Sequence, residues 1–508
     1  MRILTALLLT SCSVAAIAQP GTLDPTFGTN GRALAVVTGN YSSGECIAEQ
    51  TDGKIIVGGA TPGYALLARF NTDGSLDTGF GTNGLVLTDV DASNDFIATV
   101  TVQPDGKIVA GGVRFNAAAD GQAIVIRYTP SGTLDTGFGT NGIRTISFSG
   151  TTDSYIKALR LQTDGRIVAC GERYTGSEWE SFVLRLNSDG TTDNGFGTVQ
   201  LDISTNGDDN ATDLVLQNNG RIVVCGTVQS ATGGGIFVAR LNANGSFDNT
   251  FGSGGKQVLD IGGGGSDAGY SVRVQDDGRI LVSGVIDTEN GYRVGVARML
   301  ANGTLDGSFG TNGSVLINLG IDDWALPTLA MQPDGKILVG ADNNVGDPAR
   351  VKVIRLLTDG TFDATFGTNG IGTSNATIGD DYEYAVRTLF LSDGGIAVAG
   401  FVDTPNNTQV AVWKFRSGVN VGVEEGIGME PIRVSPNPVE ASFDLIGTGM
   451  IDRHASFTVL DVNGREVPAE IVRHDGRTAV DVSHLPSGTY QLTLVDKGGR
   501  RSVRFIKR

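Results

Sequence analysis

The stretch GTLDTGFGTNG occupies residues 132–142, and its skeleton, Gly-x-x-Asp-x-x-Phe-Gly, returns along the chain with its acid at Asp24, Asp77, Asp135, Asp193, Asp248, Asp306 and Asp363. Seven copies at steps of about 57 residues mark a repeat architecture. Between consecutive boxes lies a second signature, a turn dipeptide followed by an apolar run: Asp52-Gly53, Asp105-Gly106, Asp164-Gly165, Asn219-Gly220, Asp277-Gly278, Asp334-Gly335 and Asp393-Gly394. Such dipeptides reach the positive φ angles of a two-residue hairpin loop.

Working outward from the box, the apolar residues before each turn alternate, as in Leu159 and Leu161 or Val272 and Val274, which is the period of a strand. A strand follows the turn (Ile337 to Val339), a third precedes the box (Phe182 to Leu186), and a fourth follows it (Ile143 to Ile146). Four strands per repeat make one blade of a propeller. The array opens on a box and fourth strand, residues 21–37, that lack the preceding three strands. It ends on three strands, residues 383–415, that lack a box. Joined, the two fragments complete one blade, so the expected fold is all-β: a seven-bladed β-propeller closed by its N-terminal strand, with no open sheet edge.

A cation stands in the third strand of every repeat, at Arg69, Arg127, Arg185, Arg240, Arg298, Arg355 and Lys414. In the first six the box aspartate follows eight residues later, which predicts Arg69–Asp77, Arg127–Asp135, Arg185–Asp193, Arg240–Asp248, Arg298–Asp306 and Arg355–Asp363 pairs. Lys414 has Gly422 at that offset, so ring closure should bring it Asp24. The box Phe reads as a core anchor.

Of the 508 residues 74 are glycine, 7% are aromatic and 40% are hydrophobic, a balance that suits many short strands and tight turns. Arg2, the apolar run from Ile3 to Ile17 and the small-residue ending Ala16-Ile17-Ala18 read as a signal peptide over residues 1–18, cut before Gln19. No later stretch approaches the ~20 apolar residues of a membrane-spanning helix. Cys46, Cys170 and Cys225 remain after processing and read as buried thiols. Residues 19–429 hold 26 Lys+Arg against 45 Asp+Glu, an acidic balance that argues against nucleic acid as a partner.

At Gly-Thr/Ser-Leu-Asp-x-x-Phe-Gly-Thr-Asn-Gly and Gln-x-Asp-Gly-Lys/Arg-Ile, residues 19–418 resemble the bacterial delta-60 repeat propellers, a resemblance that implies fold and carries no catalytic pattern. Residues 419–430 read as a linker. Residues 431–508 form short alternating strands, expected to make a small Ig-like sandwich. Ser435-Pro436-Asn437-Pro438, Asp461-Val462-Asn463-Gly464-Arg465, Leu485-Pro486-Ser487-Gly488-Thr489-Tyr490 and Phe505-Ile506-Lys507-Arg508 resemble the type IX secretion C-terminal sorting domain. That resemblance implies recognition by the type IX machinery and a secreted or surface-attached product, with Lys497 to Arg508 as an exposed final hairpin.

All three histidines, His454, His474 and His484, fall in this last segment, so residues 19–418 hold no histidine base, triad or histidine metal site. No catalytic residue and no cofactor is evident. The loops leading into the first strands carry acids and aromatics at Asp95, Phe96, Asp153, Tyr155, Asp209, Asp267, Tyr270, Asp323, Trp324, Asp381 and Tyr382. A ring of carboxylates with aromatic faces at the channel mouth could hold Ca²⁺ or stack against sugar rings; solvated strand-end loops would look the same. The function expected is a binding or interaction protein with a glycan, protein or Ca²⁺-dependent partner. The alternatives are a carboxylate-based polysaccharide-active enzyme and a structural surface component.

Overall fold

The computed structural model describes residues 19–37, 41–91, 93–204, 207–230, 233–263, 266–323, 325–343, 349–374, 382–404, 407–419, 433–435, 439–446, 456–460, 466–474, 477–496 and 499–507. Among them the chain is all-β: nine four-stranded sheets, seven within Arg32–Arg416 and two within Arg433–Lys507. No helix among the described residues is long and apolar enough to cross a membrane.

One repeat shows how its residues make a sheet. Ser154–Leu161, Ile167–Tyr174, Trp179–Leu186 and Thr198–Gln200 pair antiparallel in that order. The Asp164-Gly165 turn joins the first two strands, with Gly165 at φ 84°, Gly165 N–H donating to Gln162 O (3.0 Å) and the Asp164 carboxylate accepting from Arg166 N–H (3.1 Å). The second strand is buried from Ile167 to Gly171 and the third from Ser181 to Leu186, so these paired stretches are covered on both faces. A β-bulge interrupts the first strand between Ile156 and Ala158, and the same irregularity recurs in five other sheets.

The boxes stitch neighbouring sheets together. Phe138 is fully buried, and the N–H of the glycine after it, Gly139, donates to Asp189 O of the next sheet (2.8 Å). Gly139 sits at φ 54°, where a Cβ would lie 2.4 Å from Ile143 O, so no other residue fits. Asn141 and Gly142, both at positive φ, close the two-residue hairpin that delivers the fourth strand. The core is a set of layers between sheets. One of them brings Val109 and Val125 of one sheet, Phe138 of its box, and Leu159, Ala169 and Phe182 of the next sheet into one cluster.

The first strands, Ser43–Glu49, Asp95–Val102, Ser154–Leu161, Asp209–Leu216, Ala268–Val274, Thr328–Met331 and Tyr382–Phe390, each contact the next, and Tyr382–Phe390 returns to Ser43–Glu49. The last of the seven sheets is completed from the start of the chain: Arg32–Ala35 pairs antiparallel with Asn407–Arg416, Arg32 opposite Trp413 and Ala35 opposite Val410. Asp24 N–H donates to Lys414 O (2.8 Å), and buried Glu383 accepts from Arg32 (3.3 Å), Trp413 Nε1 (3.2 Å) and Ser374 Oγ. These repeated four-stranded sheets have the arrangement of a β-propeller.

In the C-terminal segment, Arg433–Ser435, Ser442–Ile446, Arg477–Asp481 and Glu470–His474 contribute one sheet, and Glu466–Val467, Ser456–Leu460, Gly488–Asp496 and Gly499–Lys507 the other. Both face one core containing Val439, Phe443, Val459, Val480, Leu492 and Phe505, with the Phe443 and Phe505 rings 4.6 Å apart.

Candidate ligand-binding site

What all repeats share is architecture. In six of them the third-strand arginine donates Nε–H to the box aspartate at 2.7 to 2.9 Å. Each of these arginines also lies over its box Phe, 4.3 to 4.7 Å from the ring centroid. Its Nη1 reaches a carbonyl of the next sheet or of the closing segment: Pro130, Ser188, Ala243, Ala301, Thr358 or Ser417. Sequence reasoning missed a second cation, the residue after each turn dipeptide. Lys54, Lys107, Arg166, Arg221, Arg279 and Lys336 lie 2.9 to 3.5 Å from the same carboxylates, which accounts for the Lys/Arg in the Asp-Gly-Lys/Arg signature. Hydrogen bonds from Lys54 to Asp77 and from Arg185 to Asp193 hold those carboxyls below the usual range.

The seventh unit brings Lys414 to Asp24 across the closure, with the ammonium shared between two acids. Lys414 Nζ is 3.8 Å from Asp24 and 2.6 Å from Asp393, so its hydrogen bond goes to the turn acid, while Arg416 reaches Asp24 at 3.4 Å. The position after this turn is Gly395 rather than a cation, and a single ammonium cannot fork as a guanidinium does.

The mouth acids are not an open carboxylate ring. Asp95, Asp209 and Asp267 are buried. Asp95 accepts from Val90 N–H (2.6 Å), Asp209 from Ile203 and Ser204 N–H (2.7 and 3.1 Å), and Asp267 from Ile261 and Asp287 N–H (2.7 and 3.1 Å). Each thus ties down the loop that enters its strand. Burial pushes the Asp95 and Asp209 carboxyls up to about 6 and raises that of Asp267. Asp153 accepts from Gly121 N–H (2.7 Å); Phe96, Tyr270 and Tyr382 are half-buried and Asp323 is exposed. Trp324 and Asp381 lie outside the described residues, as do Pro436, Asn437, Pro438, Gly464 and Arg465 of the sorting motifs and residues 1–18. No group of three or more His, Cys, Asp or Glu that could hold a metal ion occurs among the described residues. Of the remaining sorting-motif residues, Tyr490 Oη donates to Pro486 O (2.9 Å), and Lys507 of the final hairpin is buried rather than exposed.

Two features occur once each among the described residues and so lie outside the repeat. At the first-strand entry of one sheet, the Tyr155 and Trp179 rings are 5.6 Å apart, Tyr174 and Trp179 5.3 Å, and Phe115 and Tyr155 6.2 Å. All four are half-buried, unlike the seven box Phe rings, and Lys157 with Glu172 and Arg173 with Glu180 form ion pairs around them. Of these rings only Tyr155 stood out in the sequence.

The second lies where six first strands line a cavity of about 460 Å³. Asp213, buried, accepts from Arg160 Nη2 and Arg273 Nη1 (2.8 Å each), Ser271 Oγ (3.1 Å) and the N–H groups of Leu214 and Val272 (3.0 and 3.3 Å), and Arg387 approaches to 3.9 Å. Burial alone would raise the Asp213 carboxyl, but Arg160, Arg273 and Arg387 together hold it well below the usual range. The available signal was a charged residue within each of four first strands.

The family model described as a domain of unknown function (DUF5122) beta-propeller matches residues 50–80, 103–138, 162–196, 217–251, 275–309 and 332–366. The one described as a secretion system C-terminal sorting domain matches residues 433–508. No curated protein matches the chain. Among solved structures, a catalytically inactive virginiamycin B lyase from Staphylococcus aureus is 12% identical, with 75% of this chain and 98% of that one covered and a TM-score of 0.43. A polysaccharide lyase is 10% identical (77% and 93% covered, TM-score 0.42), and Drosophila Semaphorin 2a 8% (94% and 98%, TM-score 0.42).

Proposed function

We propose that this chain, which carries DUF5122 β-propeller repeats and ends in a secretion-system C-terminal sorting domain, is exported by type IX secretion as a glycan-binding protein. It acts at the cell surface or in the surrounding medium. Residues 19–418 are read as a seven-bladed propeller and residues 431–508 as an Ig-like tag whose partner is the export machinery. The cyclic contacts of the first strands and the completion of the last sheet by Arg32–Ala35 support that reading.

The observation that carries the function is the cluster of Phe115, Tyr155, Tyr174 and Trp179. Aromatic rings kept half-exposed where two neighbouring sheets meet, with Glu172, Arg173 and Glu180 around them, offer an apolar face beside polar groups, the combination that stacks against a sugar ring and orients its hydroxyls. The test is a glycan array probed with the full chain, repeated with Trp179→Ala and Tyr155→Ala. Retention of a glycan by the native chain, weakened at least tenfold in both variants, is the expected result. Equal retention by both variants, or cleavage of the glycan, overturns it.

A further inference from the structure

We infer that the cavity lined by the first strands is a binding site for an oxyanion group, carboxylate, sulfate or phosphate, clasped by Arg160, Arg273 and Arg387 around Asp213. This site is separate from the aromatic cluster and does not depend on the glycan reading.

Asp213 is the hub. Its side chain is 1% exposed, and both oxygens are taken up by backbone N–H groups, Ser271 and two guanidiniums. One carboxylate therefore balances one of three arginines. Glu49, the other acid of the lining, is turned to Ser392, accepting from its N–H (2.8 Å) and Oγ (2.6 Å). Glu45, close enough to feel Arg387, is bonded to Ser43, and burial raises its carboxyl, which weakens it as a counter-charge. A surplus of positive charge is thus held at one place in a protein of net charge −17.

The arginines also keep donors in reserve. In the repeats, the third-strand guanidinium donates to a carboxylate and a carbonyl and is covered by a ring. Here Arg160 spends Nη2 on Asp213 and Nη1 on Leu159 O, and Arg273 spends Nη1 on Asp213 and Val272 O. Within the described residues the Arg387 guanidinium forms no hydrogen bond, its approach to Asp213 being an ion-pair distance of 3.9 Å. Each guanidinium carries five N–H donors, and these side chains are 31%, 24% and 21% exposed, so unspent donors face the cavity. Three like charges that share one carboxylate repel one another at short range, and an entering anion relieves that repulsion while taking forked hydrogen bonds. A volume of about 460 Å³ suits a small anion or the charged end of a longer molecule.

The experiment is calorimetric titration of the full chain at fixed ionic strength with sodium sulfate, inorganic phosphate, glucuronate and glucose, with chloride as the background anion. Saturable binding of at least one of the three anions but not of glucose is expected, at least tenfold weaker in Arg387→Ala and in Arg160→Ala. Trp179→Ala should bind the anion normally, so loss of glycan retention and loss of anion binding report on different sites. Preference for glucuronate names a sugar-acid carboxylate as the source, and preference for sulfate or phosphate names an esterified ligand; either supports the site. The inference is overturned if no anion saturates, if chloride competes on equal terms, or if both folded arginine variants bind as the native chain does.

Discussion

At the residue scale, Arg240 and Arg166 both approach a box aspartate, yet they carry different weight. Arg240 and Asp248 are 3% and 4% exposed, and Arg240→Ala leaves a buried carboxylate with the more exposed Arg221 as its remaining cation beside the Thr250 N–H and hydroxyl, so a loss of about 3 kcal/mol is expected in denaturant unfolding. Arg166 is 43% exposed and Asp193 keeps Arg185, so Arg166→Ala should cost less than about 1 kcal/mol. Equal losses would show that the pairs do not hold the sheets. The buried acids make a prediction about pH. Burial lifts Asp95 and Asp209 to about 6 and Asp342 to about 7, against 3.8 for an ordinary aspartate. Their protonated forms are favoured by the fold, so their contribution is complete below about 3.8 and fades as pH rises through 6 to 7. Asp77, Asp193 and Asp306 are shifted down, so their contribution is complete above 3.8 and fades on acidification. The melting temperature should therefore peak between about pH 4 and 6. In Asp342→Asn the decline toward pH 8 should flatten, and an unchanged slope would remove Asp342 from the account.

At the scale of the element, the box loop is a joint whose geometry only glycine permits. Gly139→Ala places a methyl against Ile143 O and forces alanine to a left-handed backbone, a cost of more than about 1 kcal/mol. The expected sign is faster amide exchange in the hairpin around Asn141 and the strand Ile143–Thr145, with the distant sheets unaffected. Uniform protection would mean that the loop tolerates a side chain. The same loop carries Phe138 into the layer between sheets and donates Gly139 N–H across it, so one short motif sets both a turn and a contact between repeats.

At the scale of the whole molecule, stability rests on the first and last segments meeting. Removing residues 19–37 uncovers the edge of Asn407–Arg416 and deprives Glu383 of Arg32, so the truncated chain should melt lower and self-associate by light scattering. A monodisperse product with native melting would show that the final sheet does not need its borrowed strand. Truncation after Gly418 should instead leave the propeller folded and the protein unexported, read out by fractionating the producing cells.

The repeat, the four strands per repeat, the paired arginines and the closing segment were legible because each is written in local spacing: a turn dipeptide, a two-residue alternation, an offset of eight. The sorting segment was recognised instead through four motifs that resemble a known family. The second cation on each box acid was not, since it joins residues more than twenty positions apart, as Lys54 and Asp77 are. The mouth acids look identical in sequence whether they face a ligand or cap a backbone, and only the loop's path turned Asp95, Asp209 and Asp267 inward. Asp213, Arg160, Arg273 and Arg387 come from four repeats, each in a different first strand, and they become one site only when the first strands face a common cavity. Local spacing along a chain specifies the blade; which side chains from different blades share a few ångströms, and so share charge, is decided by the packing of the sheets.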